Sequence, residues 1–102
     1  MLHHHVLHHE KSKEWTVFIH GFGGSSNVWF KQVKAFSQEF NVVLIDLRGH
    51  GKSSSIQPVK KYSFELLARD VTEVLESLKL KNSHFVGVSL GSIIIRQIAV
   101  NS

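Results

Sequence analysis

Residues Gly87-Val88-Ser89-Leu90-Gly91 constrain this chain more than any other stretch. The apolar pair Phe85-Val86 precedes them and the run Ile93-Ile94-Ile95 follows. Gly-x-Ser-x-Gly between a strand and a helix reads as a nucleophile elbow, a sharp and strained turn that lifts the serine hydroxyl clear of the sheet. Gly87 and Gly91 flank it because a side chain at either place would collide with the neighbouring strand or helix. In that geometry Leu90 presents a backbone N–H to any negative charge that develops on a substrate oxygen.

A second glycine-rich turn lies upstream. Trp15-Thr16-Val17-Phe18-Ile19 is a short, mostly apolar run of β-formers, expected to be a buried strand. It ends at His20-Gly21-Phe22-Gly23-Gly24-Ser25-Ser26-Asn27. One reading is a dinucleotide fingerprint, with Gly21 and Gly23 at the phosphates and Asp46, at the end of the next strand, on a ribose. Ser26 stands there where the third glycine or alanine belongs. The other reading is an oxyanion loop, with the Phe22 N–H as second donor beside Leu90. In that reading His20 is a structural residue that ties the loop down.

Between these turns the periodicity changes twice. Ser26 or Asn27 is a fitting cap for a helix running to about Glu39, with Trp29, Val33, Phe36 and Phe40 as its apolar stripe. Trp29, in the first turn after the loop, is a candidate contact of the site. Val42-Val43-Leu44-Ile45 lacks polar alternation and suits a parallel strand covered on both faces. The segment Asp46-Leu47-Arg48-Gly49-His50-Gly51-Lys52-Ser53 follows. Its tail resembles that of a phosphate-binding P-loop, but Asp46 occupies the place of that motif's first glycine. It is better read as a turn braced by an Asp46–Arg48 pair. Residues 52–61, with Pro58, are expected to form a surface loop.

Ser63 is an N-cap candidate for a helix whose stripe is Phe64, Leu67, Ala68, Val71, Val74, Leu75 and Leu78. Its other face carries Glu65, Arg69, Asp70, Glu73 and Glu76, expected to be solvated. Lys79 and Lys81 suit the end of its dipole, and Asn82 is expected to terminate it. Residues 83–88 form the strand that enters the elbow, and a last helix begins at about Leu90.

The N-terminus reads His-His-His-Val-Leu-His-His over residues 3–9. As a strand it places His3, His5 and His9 on one face and His4 and His8 on the other. The expected role is a half-exposed edge strand. A functional metal site would need a second shell that the sequence does not display. The chain has no cysteine, which excludes disulfides and thiolate chemistry. The net charge of +4 is spread among acidic residues, unlike a nucleic-acid-binding stripe. No apolar run approaches the roughly 18 residues of a membrane span, and no secretory h-region follows Met1. The expectation is a cytoplasmic chain.

Three motifs at the ends of three successive strands, taken in order, resemble the α/β-hydrolase fold family from about Trp15 to the last residue. They are the His20-Gly21 turn, the segment from Asp46 to Ser53, and Gly87-x-Ser89-x-Gly91. The resemblance implies a three-layer α/β/α sandwich on a mostly parallel sheet, incomplete at its C-terminal side. It implies Ser89 as nucleophile, the Phe22 and Leu90 N–H groups as oxyanion hole, and His20, Gly21, Gly87 and Gly91 in support. It also implies hydrolysis of small-molecule acyl substrates, esters above all, with no cofactor and no metal.

In that family the triad acid and histidine follow the serine. This sequence has no Asp, Glu or His after Ser89. His84, five residues before Ser89 on the same strand, stands ~15 Å away. Residues 1–102 are therefore expected to be the N-terminal portion of one hydrolase domain, without cap or later strands. Alone they are expected to hydrolyse esters weakly or not at all, and to self-associate through an open sheet edge. The rival readings are the nucleotide-binding module on Gly21, Gly23 and Asp46, and a non-catalytic hydrolase remnant.

Overall fold

A computed structural model describes residues 1–54, 56 and 63–101. The surface loop expected over 52–61 lies largely outside the described residues. At its start, Gly51–Ser53 form a single 3-10 turn.

Among the described residues four strands make one sheet in the order β1-β3-β2-β4, with β1 at His4–Leu7, β2 at Trp15–Ile19, β3 at Asn41–Ile45 and β4 at His84–Gly87. β2 runs parallel to β3 with Ile19 opposite Ile45, and parallel to β4 with Ile19 opposite Gly87. The histidine-rich segment is an edge strand, as expected, and it pairs antiparallel with β3. The expectation of a mostly parallel sheet holds, with β1 as its one antiparallel member. Regular pairing covers only residues 4–7, so the alternation expected from His3 to His9 extends beyond the strand proper.

The two faces of the sheet bury different things. Val17, Ile19, Val43 and Ile45 pack with Leu67, Ala68, Val71, Val74, Leu75 and Ile94 of two helices, α2 (Phe64–Ser77) and α3 (Leu90–Asn101). Each large aliphatic side chain of that layer contributes roughly 1.5–3 kcal/mol on burial. The opposite face is thinner. Phe18 and Val42 meet Trp29, with Val33 and Phe36 of α1 (Phe30–Phe36) against them. Trp29 lies 8% exposed in that layer, so it is a core residue and not a contact of the site.

Four element boundaries differ from expectation. Ser25, not Ser26 or Asn27, caps the first helical segment. Its Oγ accepts from the Asn27 N–H, and residues 26–29 form a 3-10 turn before α1 begins. α1 stops at Phe36. β4 is shorter than the expected 83–88 stretch. Finally, α2 does not run on to Asn82. Lys79 adopts φ 59°, the Leu80 N–H bonds the Leu75 carbonyl, and the Lys79 N–H bonds that of Glu76. That is a Schellman ending with lysine in the left-handed place that glycine usually fills. The Ser63 cap is as read, with Oγ accepting from the Leu66 N–H at 3.0 Å.

Candidate active site

Parallel strands carry their C-terminal ends to one edge of a sheet, and ligand sites in open α/β sheets form there. The loops after β2, β3 and β4 meet at this edge. The elbow is its sharpest element. Ser89 has φ 53°, a left-handed conformation that costs a non-glycine residue roughly 1–2 kcal/mol. Its side chain is exposed and its Oγ has no hydrogen-bond partner among the described residues. The Gly91 N–H bonds the Val88 carbonyl, and Ser92 and Ile93 bond the Ser89 carbonyl, so the helix starts immediately.

Close packing explains the flanking glycines. A Cβ on Gly91 would run into the Ile19 carbonyl oxygen and lie 2.9 Å from that of His20. A Cβ on Gly87 would lie 2.7 Å from the Gly91 carbonyl carbon. The start of α3 thus rests directly on the end of β2. The same closeness brings in the upstream turn. A Cβ on Gly21 would lie 3.2 Å from the Val88 oxygen and 3.4 Å from the Ser89 Cβ.

His20 aims that turn. It is fully buried, and its Nε2 accepts the Leu47 N–H at 3.0 Å. A ring nitrogen that accepts a backbone N–H carries no proton, so the neutral ring carries its proton on Nδ1. Nδ1 faces the Gly21 carbonyl at 2.7 Å. The Gly24 N–H bonds that carbonyl too, at 3.1 Å. Because a trans peptide holds C=O and N–H antiparallel, anchoring the Gly21 oxygen inward turns the Phe22 N–H outward. Among the described residues neither the Phe22 N–H nor the Leu90 N–H has an acceptor. Burial lowers the His20 pKa first, the His50 ring adds to this, and the Gly21 carbonyl and Asp46 oppose it.

Asp46 does not pair with Arg48 as the sequence suggested. Its carboxylate accepts the Ser26 N–H at 2.7 Å and the Lys52 N–H at 3.1 Å. Burial pushes the carboxyl up, but these N–H donors outweigh it and hold the pKa below its ordinary value. A carboxylate 2% exposed and committed to two backbone donors is not free for a ribose, which removes the nucleotide reading of Gly21, Gly23 and Asp46. Arg48 instead forks onto Asp70, Nε and Nη2 each donating at 2.9 Å. Asp70 is therefore half-buried against the loop and not part of a solvated helix face. Ser53, which closes the Asp46–Ser53 motif, is buried. It donates to the Asp46 carbonyl at 2.7 Å and accepts the His3 N–H at 2.9 Å, pinning the N-terminal strand.

A mostly apolar cavity of about 420 Å³ opens beside the two outward N–H groups. Phe22 and Leu90 line it with Leu47, Phe64 and Leu67, and the polar residues Arg48, His50 and Ser63 complete its wall. Among the described residues no three His, Cys, Asp or Glu side chains are grouped to hold a metal ion. No helix of the described residues is long and apolar enough to cross a membrane. His84 sits at the far end of β4 with its ring 3.6 Å from Glu14, away from Ser89.

Comparison with known proteins agrees with this layout. The model of the alpha/beta hydrolase fold matches residues 15–101. The chain is 36% identical over 87 residues to a protein of Acinetobacter baylyi with the provisional name carbamate hydrolase RutD, covering 85% of this chain and 32% of that protein. It is 32% identical over 97 residues to Epoxide hydrolase 4 of Mus musculus, covering 95% and 27%. The crystal structure of a hydrolase from Pseudomonas aeruginosa PA01 superimposes with a TM-score of 0.89 at 31% identity, covering 99% of this chain and 37% of that one. The chain thus spans about a third of the length of these proteins.

Proposed function

Because the chain belongs to the alpha/beta hydrolase fold family, we propose that it carries the nucleophile and oxyanion hole of a hydrolase that cleaves acyl bonds through an acyl-enzyme on Ser89. The observation that carries this is the exposed, left-handed Ser89 lying against the Gly21 backbone, with the Phe22 and Leu90 N–H groups both lacking acceptors. Ser89 Oγ attacks the acyl carbon and loses its proton to a base. The two N–H groups receive the oxygen that becomes negative, which is usually the largest catalytic contribution. The alcohol or amine departs, and water repeats the attack on the acyl-serine.

The relatives divide between acyl and epoxide chemistry, and the side chain at the elbow favours acyl substrates. A serine that opened an epoxide would be left as an ether, with no carbonyl for water to attack. A serine that takes an acyl group becomes an ester, which water can cleave. Esters, lactones and carbamates therefore suit Ser89, and epoxides do not.

The base comes from outside residues 1–102 in this proposal. His20 and His50 have both ring nitrogens engaged with backbone, and His84 is at the wrong end of its strand. A serine without a base is a poor nucleophile at neutral pH. The test is incubation with p-nitrophenyl acetate followed by peptide mass analysis. The expected result is a slow gain of one acetyl group on the peptide holding Ser89, absent in Ser89→Ala, with no adduct from styrene oxide. Acetylation that is indifferent to Ser89→Ala would overturn the proposal.

A further inference from the structure

His20 and His50 lace the loops after β2 and β3 to each other by the same pattern run in opposite directions. His20, at the end of β2, reaches forward 27 residues to take the Leu47 N–H on Nε2. His50, in the loop after β3, reaches back 27 residues to take the Gly23 N–H on Nε2 at 2.9 Å. Each ring has its Nδ1 against a nearby carbonyl, Gly21 for His20 and Arg48 for His50, the latter at 3.0 Å. The Gly23 N–H can only donate, so His50 Nε2 is unprotonated and Nδ1 carries the ring proton to the Arg48 oxygen. The two rings touch, with centroids 5.1 Å apart, and the Phe22 ring meets His50 edge-on at 5.4 Å.

The consequence lies in the backbone. Phe22 stands between two peptide planes. His20 holds the one before it through the Gly21 carbonyl, and His50 holds the one after it through the Gly23 N–H. Fixing both planes fixes φ and ψ of Phe22 and so the direction of its own N–H. Gly23, at φ 81°, and its neighbour Gly24 would otherwise leave this segment loose. Packing holds Phe22 weakly, since the residue is 82% exposed and its ring meets His50 only edge-on.

We propose that His50 is a positioning residue for the oxyanion hole, acting through the Gly23 N–H to hold the Phe22 N–H in line with Ser89. Its ring lines the cavity beside that N–H, but both ring nitrogens are committed to backbone, so it exchanges no proton with substrate. This rests on the acyl-transfer reading of Ser89. In that reading a donor displaced by about 1 Å costs on the order of a hundredfold in rate.

The test uses the full 102-residue chain labelled with ¹⁵N. The expected signature is a scalar coupling across the hydrogen bond between the Gly23 amide nitrogen and His50 Nε2. His50→Phe keeps the ring against Phe22 and His20 but removes the acceptor. It should speed exchange of the Gly23 amide and slow acetyl transfer from p-nitrophenyl acetate to Ser89 by about tenfold to a hundredfold. His50→Gln, whose amide oxygen can take the same N–H, should restore most of the rate. Absence of the coupling in the unsubstituted chain, or acetylation of a folded His50→Phe at the original rate, would overturn the proposal. If His50→Phe does not fold, the coupling and His50→Gln decide: rate and Gly23 protection kept together, or lost together, support it, and a slowed rate with the amide still protected, or the original rate with the amide deprotected, counts against it. Labelling unaffected by Ser89→Ala would instead locate the failure in the acyl-transfer reading, whatever the coupling shows.

Discussion

The two turns that meet at the proposed nucleophile are held in opposite ways. The elbow at Gly87–Gly91 is held by steric contact. Backbone rests on backbone with no room for a Cβ, and strain at Ser89 is locked in by the helix that follows. The turn at residues 20–26 is held by side-chain hydrogen bonds, from His20, His50 and Asp46, each reaching across at least 20 residues of sequence. The lesson is a division of labour. In the proposed reading, the serine and the Leu90 N–H are placed by the least compliant device available, and the Phe22 N–H is placed by hydrogen bonds, which fix direction more than position.

The largest effect should come from breaking the steric half. Gly91→Ala drives a Cβ into the Ile19 carbonyl, and no flexible side chain is there to yield. The expected loss is about 3 kcal/mol or more, read from urea midpoints, or failure to fold at all. A loss under about 1 kcal/mol would mean that α3 can slide off β2, and the contrast between the turns would be weaker than drawn.

Breaking the hydrogen-bonded half comes next. His20→Ala leaves the Leu47 N–H buried without an acceptor and opens a cavity, costing about 2–4 kcal/mol. It should also change the response to pH. The folded-state pKa of His20 is lowered from 6.5. Below that value the unfolded chain takes up a proton that the folded chain does not, so stability is full above about pH 6.5 and falls as the pH drops towards the lower folded value. The unsubstituted chain should therefore lose midpoint between about pH 7.5 and about pH 5.5, and His20→Ala should lose less over the same interval. An identical slope in both would remove His20 as the source.

The smallest effect sharpens the comparison by separating strain from function. Ser89 and Lys79 are the two non-glycine residues with positive φ among the described residues. Ser89→Gly and Lys79→Gly should each raise stability by about 0.5–1 kcal/mol by relieving the same left-handed cost. Only Ser89→Gly should abolish acetylation by p-nitrophenyl acetate. Equal loss of labelling in Lys79→Gly would tie the helix ending to the site and blur the distinction.

Local chemistry was legible along most of the chain. β-branched runs located Trp15–Ile19 and Val42–Ile45, apolar periodicity together with Ser63 located α2, and two glycines four residues apart located the elbow. Each of these depends on neighbours within about one turn or one strand. The helix ends were less legible because Ser25, Ser26 and Asn27 are chemically alike as caps, and lysine is an unusual occupant of a left-handed helix ending.

What the sequence determined by itself is the order of elements, the family resemblance and the position of the serine. These follow from residue type and spacing alone. What only the tertiary structure decided is the partner of each polar side chain. The sequence places Asp46 beside Arg48 because they are two residues apart, yet parallel pairing of β2 with β3 carries Asp46 to the Ser26 N–H, and the packing of α2 brings Asp70 to Arg48. His50 gave no sign of its work, since an imidazole in a glycine-rich turn has no local preference for an amide 27 residues earlier. The register of β2 against β3 sets that meeting, and side-chain hydrogen bonds form wherever register brings a donor within about 3 Å of an acceptor.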